Sequence, residues 1–190
     1  MTLILQKTYL TPHEYLTIER KAERKSEFFN GEMFLMAGAS PRHVLIVTNV
    51  VYELRQQLKK CPCTVYSADL RLKVSSTGLY TYPDVIVVCG KPQFDDEQED
   101  TLLNPTLIVE VLSESTAYYD RGKTFERYRT IQTLREYILI AQDKHHVEQY
   151  VFQPENLWIM SKTNGPDASV HLSSIGCNLA MDEVYDKVEM

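Results

Sequence analysis

The sequence predicts a domain of the mixed α/β or α+β class, and three observations support that prediction. Two short, continuous apolar runs, at residues 84–89 and 106–112, are typical of buried strands. Helical periodicity precedes them in residues 41–60 and follows them from residue 117. The resulting order of helix, strand, strand, strand, helix and strand indicates a sheet flanked by helices.

A capped helix and a hairpin are predicted near the N-terminus. Thr11 fits the N-cap, Pro12 fits the first helical position, and Glu14 follows the cap as in a capping box. This helix is expected to continue to about Arg24. An Asn-Gly pair at residues 30–31 separates two apolar runs, which predicts a tight β-hairpin.

One long helix and one alternating strand are predicted next. Ser40 fits the helix N-cap, and the helix is expected to end near Lys60, before Pro62. The core face of this helix is expected to carry Val44, Val47, Val51, Leu54 and Leu58. Residues 64–74 alternate between apolar and polar side chains and therefore predict a single strand.

Three further elements are expected toward the C-terminus. Residues 117–131 predict a third helix, with Phe125 and Tyr128 at helical spacing. Residues 135–143 and 145–152 predict two strands joined as a hairpin. The remaining residues are expected to form only short strands or loops.

Length and composition suit one globular domain spanning residues 1–190, because a chain with 44% hydrophobic residues can bury a substantial core. No apolar stretch approaches the roughly 18 residues of a membrane helix, and the first residues lack a signal-peptide pattern. The four cysteines, Cys61, Cys63, Cys89 and Cys177, match no common zinc or redox spacing. We expect reduced structural cysteines, with Cys89 as an apolar filler, in a cytoplasmic protein.

The net charge of −6 argues against extensive phosphate binding, because nucleic-acid surfaces are usually basic. The acidity is concentrated in FDDEQED, residues 94–100, which carries five carboxylates and no base. Basic residues cluster at 19–25 and 121–129. The charge therefore weakens a nucleic-acid hypothesis without excluding it, and residues 94–100 are expected to form a solvated loop that keeps phosphate away from the cleft.

Two carboxylates at the apolar strands predict metal-assisted chemistry. Asp84 follows Pro83 at the start of the first run, and Glu110 interrupts the second, where an unpaired charge is costly. If the strands are neighbours, both carboxylates can supply oxygen ligands to Mg²⁺, which activates water for phosphodiester hydrolysis. A nearby lysine such as Lys123, which shares a helix face with Asp120, can orient that water or stabilise developing charge.

The ordered segments YPDVIVVCG, PTLIVEVLSEST, YDRGKTFERY and LREYILI, with SEFFNGEMFLMAGASPRH upstream, resemble the Uma family of proposed endonucleases in the PD-(D/E)XK, restriction-endonuclease-like superfamily. The resemblance covers about residues 9–152 and leaves 153–190 as a C-terminal extension. It implies a restriction-endonuclease-like core, with a central mixed sheet flanked by helices, and Mg²⁺-dependent cleavage of nucleic acid, with Mn²⁺ as a substitute.

The same resemblance assigns roles to three residues. Asp84 is the metal-binding aspartate, and Glu110 is the acidic position of the (D/E)XK motif. Leu112 occupies the lysine position of that motif, so Lys123 on the following helix is the candidate to replace it. Further candidates for lining the site are Glu32, His43, Asp69 and Asp120.

Structural roles for the main candidates stay open at this point. Glu110 could form an ion pair with Arg71, Arg121 or Lys123. Asp84 could be a turn or cap residue after proline, and Lys123 could be a solvated lysine paired with Asp120.

Two alternatives to a DNA endonuclease also remain. One is a nuclease-like protein that binds nucleic acid or a protein partner with weak or no cleavage, which Leu112 and the net charge favour. The other is an unrelated α/β protein that binds a small molecule. A homodimer is expected, because nucleases that cut both strands often act as pairs, and no membrane association is expected.

Overall fold

Strands dominate the computed structural model, which describes residues 9–113 and 117–190. The strands are β1 Ser26–Phe29, β2 Glu32–Leu35, β3 Cys63–Ser67, β4 Arg71–Val74, β5 Leu79–Thr81, β6 Val85–Cys89, β7 Thr101–Leu102, β8 Leu107–Leu112, β9 Glu136–Ala141, β10 His146–Gln153, β11 Leu157–Asn164, β12 Ser169–Leu172 and β13 Cys177–Ala180. The helices are α1 Pro12–Glu19, α2 Pro41–Gln57, α3 Ala117–Tyr119, α4 Phe125–Tyr128 and α5 Met181–Val184. A π-helical turn at Asp120–Thr124 joins α3 to α4, and a 3-10 turn occupies Pro154–Asn156.

A six-stranded sheet in the order β11-β10-β9-β8-β6-β3 forms the centre of the fold. On one face, Val87 packs in a cluster with Ile46 of α2 and Leu172 of β12. On the other face, Ile86 packs in a cluster with Leu72 of β4, which belongs to a five-stranded sheet in the order β2-β1-β5-β4-β7. The expected mixed α+β architecture, with a central mixed sheet flanked by helices, is confirmed.

The two continuous apolar strands are neighbours in the centre of this sheet. Strands β6 and β8 run antiparallel, with Val85 opposite Val109, whereas β8 and β9 run parallel. The hairpin of β9 and β10 is also confirmed. Because β6, β8 and β9 are covered on both faces, their apolar residues are continuous rather than alternating.

The N-terminal helix and hairpin are confirmed, although the helix is shorter than expected. The Thr11 backbone N–H donates to Glu14 Oε2 at 2.7 Å, which closes the capping box. Asn30 and Gly31 both have positive φ, as the tight hairpin turn requires. The helix ends at Glu19 rather than near Arg24, because the Glu19 carboxylate turns inward and accepts the backbone N–H of Ser26 at 2.7 Å.

The core face of the long helix α2 matches the expected one in part. Leu54 and Leu58 are buried as expected, and Val47 and Val51 pack against the core. Val44 is 52% exposed, however, and Ile46 and Val50 are buried instead. Apolar residues surround the first turns of this helix on all sides, so periodicity alone could not select the face. The helix also ends at Gln57, before the expected end near Lys60.

Residues 64–74 form two strands in different sheets instead of one strand. Strand β3 lies at the edge of the six-stranded sheet, and β4 lies in the five-stranded sheet. Both strands alternate with a period of two, so the intervening turn at 68–70 is hidden in the sequence pattern. Asp69 at this turn binds Lys25 at 2.9 Å, with a side chain that is 93% exposed.

Residues after Phe152 contribute to the same core. Strand β11 pairs along its whole length with β10, so it extends the six-stranded sheet rather than forming a loop. The hairpin of β12 and β13 and the helix α5 cover α2, and Leu179 and Met181 are fully buried there. No helix in the described parts of the chain is long and apolar enough to cross a membrane.

Two cysteines are paired, contrary to the expectation of reduced thiols. Cys63 of β3 and Cys89 of β6 are directly opposite each other on antiparallel strands and form a disulfide. The sequence pattern could not show this pairing, because 26 residues separate the two cysteines and only strand register brings them together. Cys61 is a free exposed thiol, and Cys177 is free and buried.

The acidic stretch 94–100 is tied to the protein rather than simply solvated. Asp95 binds Lys73 at 2.6 Å, and Asp100 binds Arg20 at 2.7 Å. Asp96 also accepts a hydrogen bond from Arg20, at 2.6 Å. Basic side chains thus offset much of the charge that was expected to repel phosphate.

The Asp100→Asn substitution is expected to destabilise the protein at neutral pH. Hydrogen bonding from Arg20 lowers the pKa of Asp100 from 3.8 to about 2, so the folded state favours the charged carboxylate. This contribution is present above about pH 4 and is lost as the pH falls toward 2. Because the side chain is 33% exposed, solvent screening reduces the expected loss to about 1 kcal/mol.

Urea denaturation of the wild type and Asp100→Asn at neutral and acidic pH measures this loss. Glu97→Gln is the matched control, since Glu97 lies in the same loop and is exposed. Equal stability of wild type and Asp100→Asn at neutral pH would contradict the prediction.

Candidate active site

Asp84 and Glu110 lie side by side because β6 and β8 are adjacent. The backbone N–H of Asp84 donates to Glu110 Oε2 at 3.2 Å. The backbone N–H of Val111 donates to Asp84 Oδ2 at 2.8 Å. Strand pairing therefore places the two carboxylates together, and we refer to Asp84 and Glu110 as the carboxylate pair.

His43 reaches the carboxylate pair from the first turn of α2. Its Nε2 atom lies 2.9 Å from Asp84 Oδ1, and both side chains are largely buried. The Ser40 hydroxyl accepts the backbone N–H of His43 at 3.1 Å, which fixes the start of the helix beside the site. Among the site-lining candidates, His43 is thus in direct contact with the pair.

Tyr128 holds the other end of the pair and was not among the sequence candidates. Its hydroxyl donates to Glu110 Oε1 at 2.9 Å, and its ring is fully buried. Burial raises the pKa of Tyr128, which keeps the phenol neutral and able to donate. The sequence signal was ambiguous, because an aromatic residue at helical spacing usually serves the core, as this ring also does.

Glu110 lies in surroundings that disfavour its charged form. Burial, followed by the nearby carboxylates of Asp84 and Asp120, raises the pKa of Glu110 well above its ordinary value. The alternative of an ion pair with a basic residue is wrong in this structure. Arg71 binds Asp100 and Arg121 binds Glu148, whereas the described partners of Glu110 are a phenol and a backbone amide.

The turn that carries Asp84 is held from the N-terminal part of the chain. Tyr82, two residues earlier, donates its hydroxyl to Glu19 Oε1 at 2.9 Å. The guanidinium of Arg71 lies 5.6 Å from the centre of the Tyr82 ring. Pro83 follows and restricts the backbone of Tyr82 to extended conformations, so the position of Asp84 is set from several sides.

Asp120 and Lys123 lie on the π-helical turn before Tyr128. The carbonyl oxygen of Asp120 accepts the hydroxyl of Tyr137 at 3.2 Å, and its carboxylate contributes to the field at Glu110. The Lys123 side chain is exposed, and no carboxylate among residues 9–113 and 117–190 pairs with it. The alternative of a Lys123–Asp120 pair is therefore not seen.

Two other candidates lie elsewhere. Asp69 is at the solvated turn between β3 and β4, where it binds Lys25 outside the cleft. Glu32 begins β2, the outer strand of the five-stranded sheet, opposite Phe29. Within the described residues, the hydrogen bonds that hold the carboxylate pair come from neither of them.

Comparison with known proteins agrees with this architecture. The model of the Uma2 family, described as "Putative restriction endonuclease", matches residues 12–182. The chain belongs to the Uma2 family. The resemblance inferred from sequence segments is thereby confirmed, and the Uma2 match extends through β11, β12 and β13, beyond residue 152.

Relatives of this Uma2 chain include two Synechocystis sp. proteins. "Uncharacterized protein sll1609" is 36% identical over 173 residues, covering 91% of this chain and 98% of the relative. "Uncharacterized protein slr1290" is 32% identical over 176 residues, covering 93% and 91%. A crystal structure described as "a putative nuclease belonging to DUF820", from Anabaena variabilis, has a TM-score of 0.76 at 20% identity, covering 93% of this chain and 98% of that one. This last likeness shows a shared fold.

The carboxylate pair of this Uma2 chain has donors that fit a hard cation. Among the described residues, each of the four carboxylate oxygens accepts one hydrogen bond, which leaves a second lone pair on each for a metal. The described residues contain no group of three or more His, Cys, Asp and Glu side chains arranged for a metal. Two carboxylates are enough for Mg²⁺, because it commonly binds through one or two carboxylates and retains several of its own waters.

Proposed function

We propose that this Uma2 family member is a Mg²⁺-dependent endonuclease that hydrolyses phosphodiester bonds in DNA. The observation that carries the proposal is the carboxylate pair, joined through the Asp84 backbone N–H. The two acids lie on adjacent central strands and are largely buried, and neither pairs with a lysine or arginine among the described residues, which fits a cation site better than a structural ion pair. The family description supplies the reaction class.

The side chains of the site have separate tasks in this proposal. Asp84 and Glu110 would hold the cation, and Mn²⁺ is a substitute with the same charge and the same preference for oxygen ligands. His43 and Tyr128 position the two carboxylates through hydrogen bonds to Asp84 Oδ1 and Glu110 Oε1. The bound cation lowers the pKa of a water and offsets charge that builds on the phosphate.

Lys123 is assigned to orient the attacking water or to stabilise the developing charge. It is exposed, and it lies on the helical segment whose Tyr128 binds Glu110. Leu112, at the usual lysine position, is buried and uncharged, so β8 itself supplies no cation. An exposed ammonium group beside a phosphate fits this task.

A basic cleft next to the site supports nucleic acid as the substrate. This cleft of about 1040 Å³ reaches from Ser40 of the α2 cap to Leu112 at the end of β8. The basic residues lining it are Arg42, Arg121, Lys144 and Lys187, against the acids Asp143 and Glu189. The lining has two more basic than acidic side chains, although the whole chain is acidic. Arg121 is paired with Glu148 and Lys187 with Asp186, so Arg42 and Lys144 are the side chains proposed to meet a phosphate backbone.

Nicking of supercoiled plasmid DNA with Mg²⁺ or Mn²⁺ tests the proposed function. The wild type is expected to nick only with the metal, and Asp84→Asn is expected to lose at least about a hundredfold in rate. Lys123→Ala is expected to lose on the order of 10- to 100-fold. Asp69→Asn, an exposed aspartate outside the site, is the matched control and should nick normally. Nicking by Asp84→Asn at the wild-type rate would refute the mechanism.

A second candidate is a protein of this fold that binds nucleic acid, or a protein partner, without cutting it. Leu112 favours this candidate, because the usual lysine position carries no charge. If Mg²⁺ raises the melting temperature but no DNA is nicked, the non-cutting candidate is favoured. For the endonuclease we also propose a homodimer, because cutting both DNA strands needs two such sites. Analytical ultracentrifugation of the protein tests this proposal.

A further inference from the structure

A second cleft, of about 400 Å³, opens between the β1–β2 hairpin and the helical segment that ends in Tyr128. Its walls are Glu27, Phe29, Phe34, Leu79, Tyr119, Lys123 and Arg127, and we call it the aromatic cleft. The mechanism proposed above uses only Lys123 from this set. Its aromatic and basic residues therefore need a separate explanation.

Two rings of the aromatic cleft are open to solvent. The Phe34 side chain lies on the outer strand β2 and is 48% exposed, and Tyr119 is 37% exposed. They face the same cleft from opposite elements, the hairpin and the helix. Exposed aromatic rings on two walls are a geometry in which a flat ring system can stack.

Within the part of the chain that the structure describes, no carboxylate forms an ion pair with either cation of this cleft. The guanidinium of Arg127 lies 3.8 Å from the centre of the Phe29 ring and donates to the Tyr119 hydroxyl, so aromatic groups rather than a carboxylate hold it. Lys123 has no carboxylate partner among the described residues. The cleft's one acid, Glu27, accepts a hydrogen bond from the Thr81 hydroxyl instead. The cleft thus combines open rings with net positive charge.

The aromatic cleft adjoins the carboxylate pair through shared elements. Arg127 immediately precedes Tyr128, whose hydroxyl binds Glu110. Thr81, which binds Glu27 of the cleft, lies three residues before Asp84. The helical segment and the chain from Thr81 to Asp84 therefore connect the aromatic cleft to the carboxylate pair.

We propose that the aromatic cleft receives an unpaired nucleobase next to the phosphate that is cut. The inference rests on the proposed nuclease function and names its preferred substrate as single-stranded DNA, or duplex DNA with an unpaired nucleotide. A base inside a duplex has both faces covered by its neighbours, so protein rings can stack only on a base outside that stack. Arg127 and Lys123 contact the adjoining phosphates.

Binding of labelled oligonucleotides, measured by fluorescence anisotropy in EDTA, tests the inference without any need for cleavage. The probes are a single strand, the fully paired duplex, and the same duplex with one bulged base. Phe34→Ala is expected to weaken binding of the single strand and the bulged duplex by about fivefold to a hundredfold. Binding of the paired duplex should change by less than about twofold.

Two variants separate ring stacking from other effects. Phe34→Leu keeps an apolar side chain but removes the ring, so it should lose nearly as much affinity as Phe34→Ala. Tyr52→Ala removes an exposed ring of α2 that lies outside the cleft, and it should bind like the wild type. A fluorescent base analogue at the bulge should be quenched by the wild type and not by Phe34→Leu.

Several results would overturn the inference. These are a single-strand affinity unchanged in Phe34→Ala, an equal loss for the paired duplex, or no binding of any probe by the wild type. Plasmid nicking that persists in Phe34→Ala with unchanged single-strand binding would leave the nuclease function intact while removing this substrate preference. Conversely, Phe34-dependent binding without any metal-dependent cleavage would support the base site and remove the proposed activity.

Discussion

Replacing Glu110 by Gln is expected to stabilise the metal-free protein at neutral pH. The pKa of Glu110 is raised well above 4.5 by burial and by Asp84 and Asp120, so the folded protein retains a proton that the unfolded chain releases. Stability therefore falls as the pH rises above about 4.5, until the raised pKa is passed. Gln carries no charge and avoids this loss, which should be worth at least about 1 kcal/mol, or about 2 to 4 °C in Tm.

The same substitution is expected to abolish the response to Mg²⁺. In the wild type, a bound cation offsets the charge of the carboxylate pair, so Mg²⁺ should raise the Tm most at high pH, where Glu110 is ionised. Glu110→Gln removes one of the two carboxylates, and cleavage should fall by at least about a hundredfold. The variant would thus be more stable and less active than the wild type.

Thermal unfolding between about pH 5 and 8, in EDTA and in Mg²⁺, measures both effects. Glu148→Gln is a control with the opposite sign. Burial alone would raise the pKa of Glu148, but hydrogen bonds from His146 and Arg121 lower it, so losing this carboxylate should destabilise the protein. A Glu110→Gln variant that is less stable than the wild type at every pH would show that the carboxylate serves structure rather than a cation.

Removing the Cys63–Cys89 disulfide is expected to produce the largest change in stability. The bond closes a loop with a sequence separation of 26, and removing a disulfide of this kind typically costs about 2 to 4 kcal/mol. For a chain of this length, the Tm of Cys63→Ala/Cys89→Ala should fall by about 4 to 16 °C. The bond joins β3 to β6, the strand that begins directly after Asp84.

Unfolding of the wild type with and without a reductant, together with alkylation of free thiols, measures this effect. Cys61→Ser is the matched control, because Cys61 is exposed and free in the same segment. A wild type that titrates as four free thiols and melts identically in reductant would contradict the pairing. That outcome would fit the reducing cytoplasm predicted from sequence, in which disulfides are rare.

The carboxylate pair was predictable from sequence because its signals are local. Acids inside continuous apolar strands stand out, and two buried strands that follow closely in the chain usually pair, as β6 and β8 do across residues 90–106. Helix caps at Thr11 and Ser40 and the turn at 30–31 were predictable for the same reason. Each depends on residue types a few positions apart.

The features that sequence analysis missed depend on tertiary contacts. In the sequence, Tyr128 has the pattern of an ordinary core residue. Its role becomes visible only from the structure, where its hydroxyl binds Glu110 of β8. The Cys63–Cys89 pair and the buried face of α2 are decided by strand register and by residues after 152 that pack on the helix. The neutralisation of Asp95 and Asp100 requires basic partners that are distant in sequence.

The π-helical turn at Asp120–Thr124 means that the geometry of this segment depends on a single residue of chain length. A π-helical turn amounts to one residue inserted into an α-helix, so a homologue lacking one residue here would have an uninterrupted helix. Residues before and after the turn would then be rotated by about 100° relative to each other. Tyr119 could no longer meet Arg127 while Tyr128 kept its hydrogen bond to Glu110. A single insertion or deletion in evolution could thus couple or uncouple the aromatic cleft and the carboxylate pair in one step.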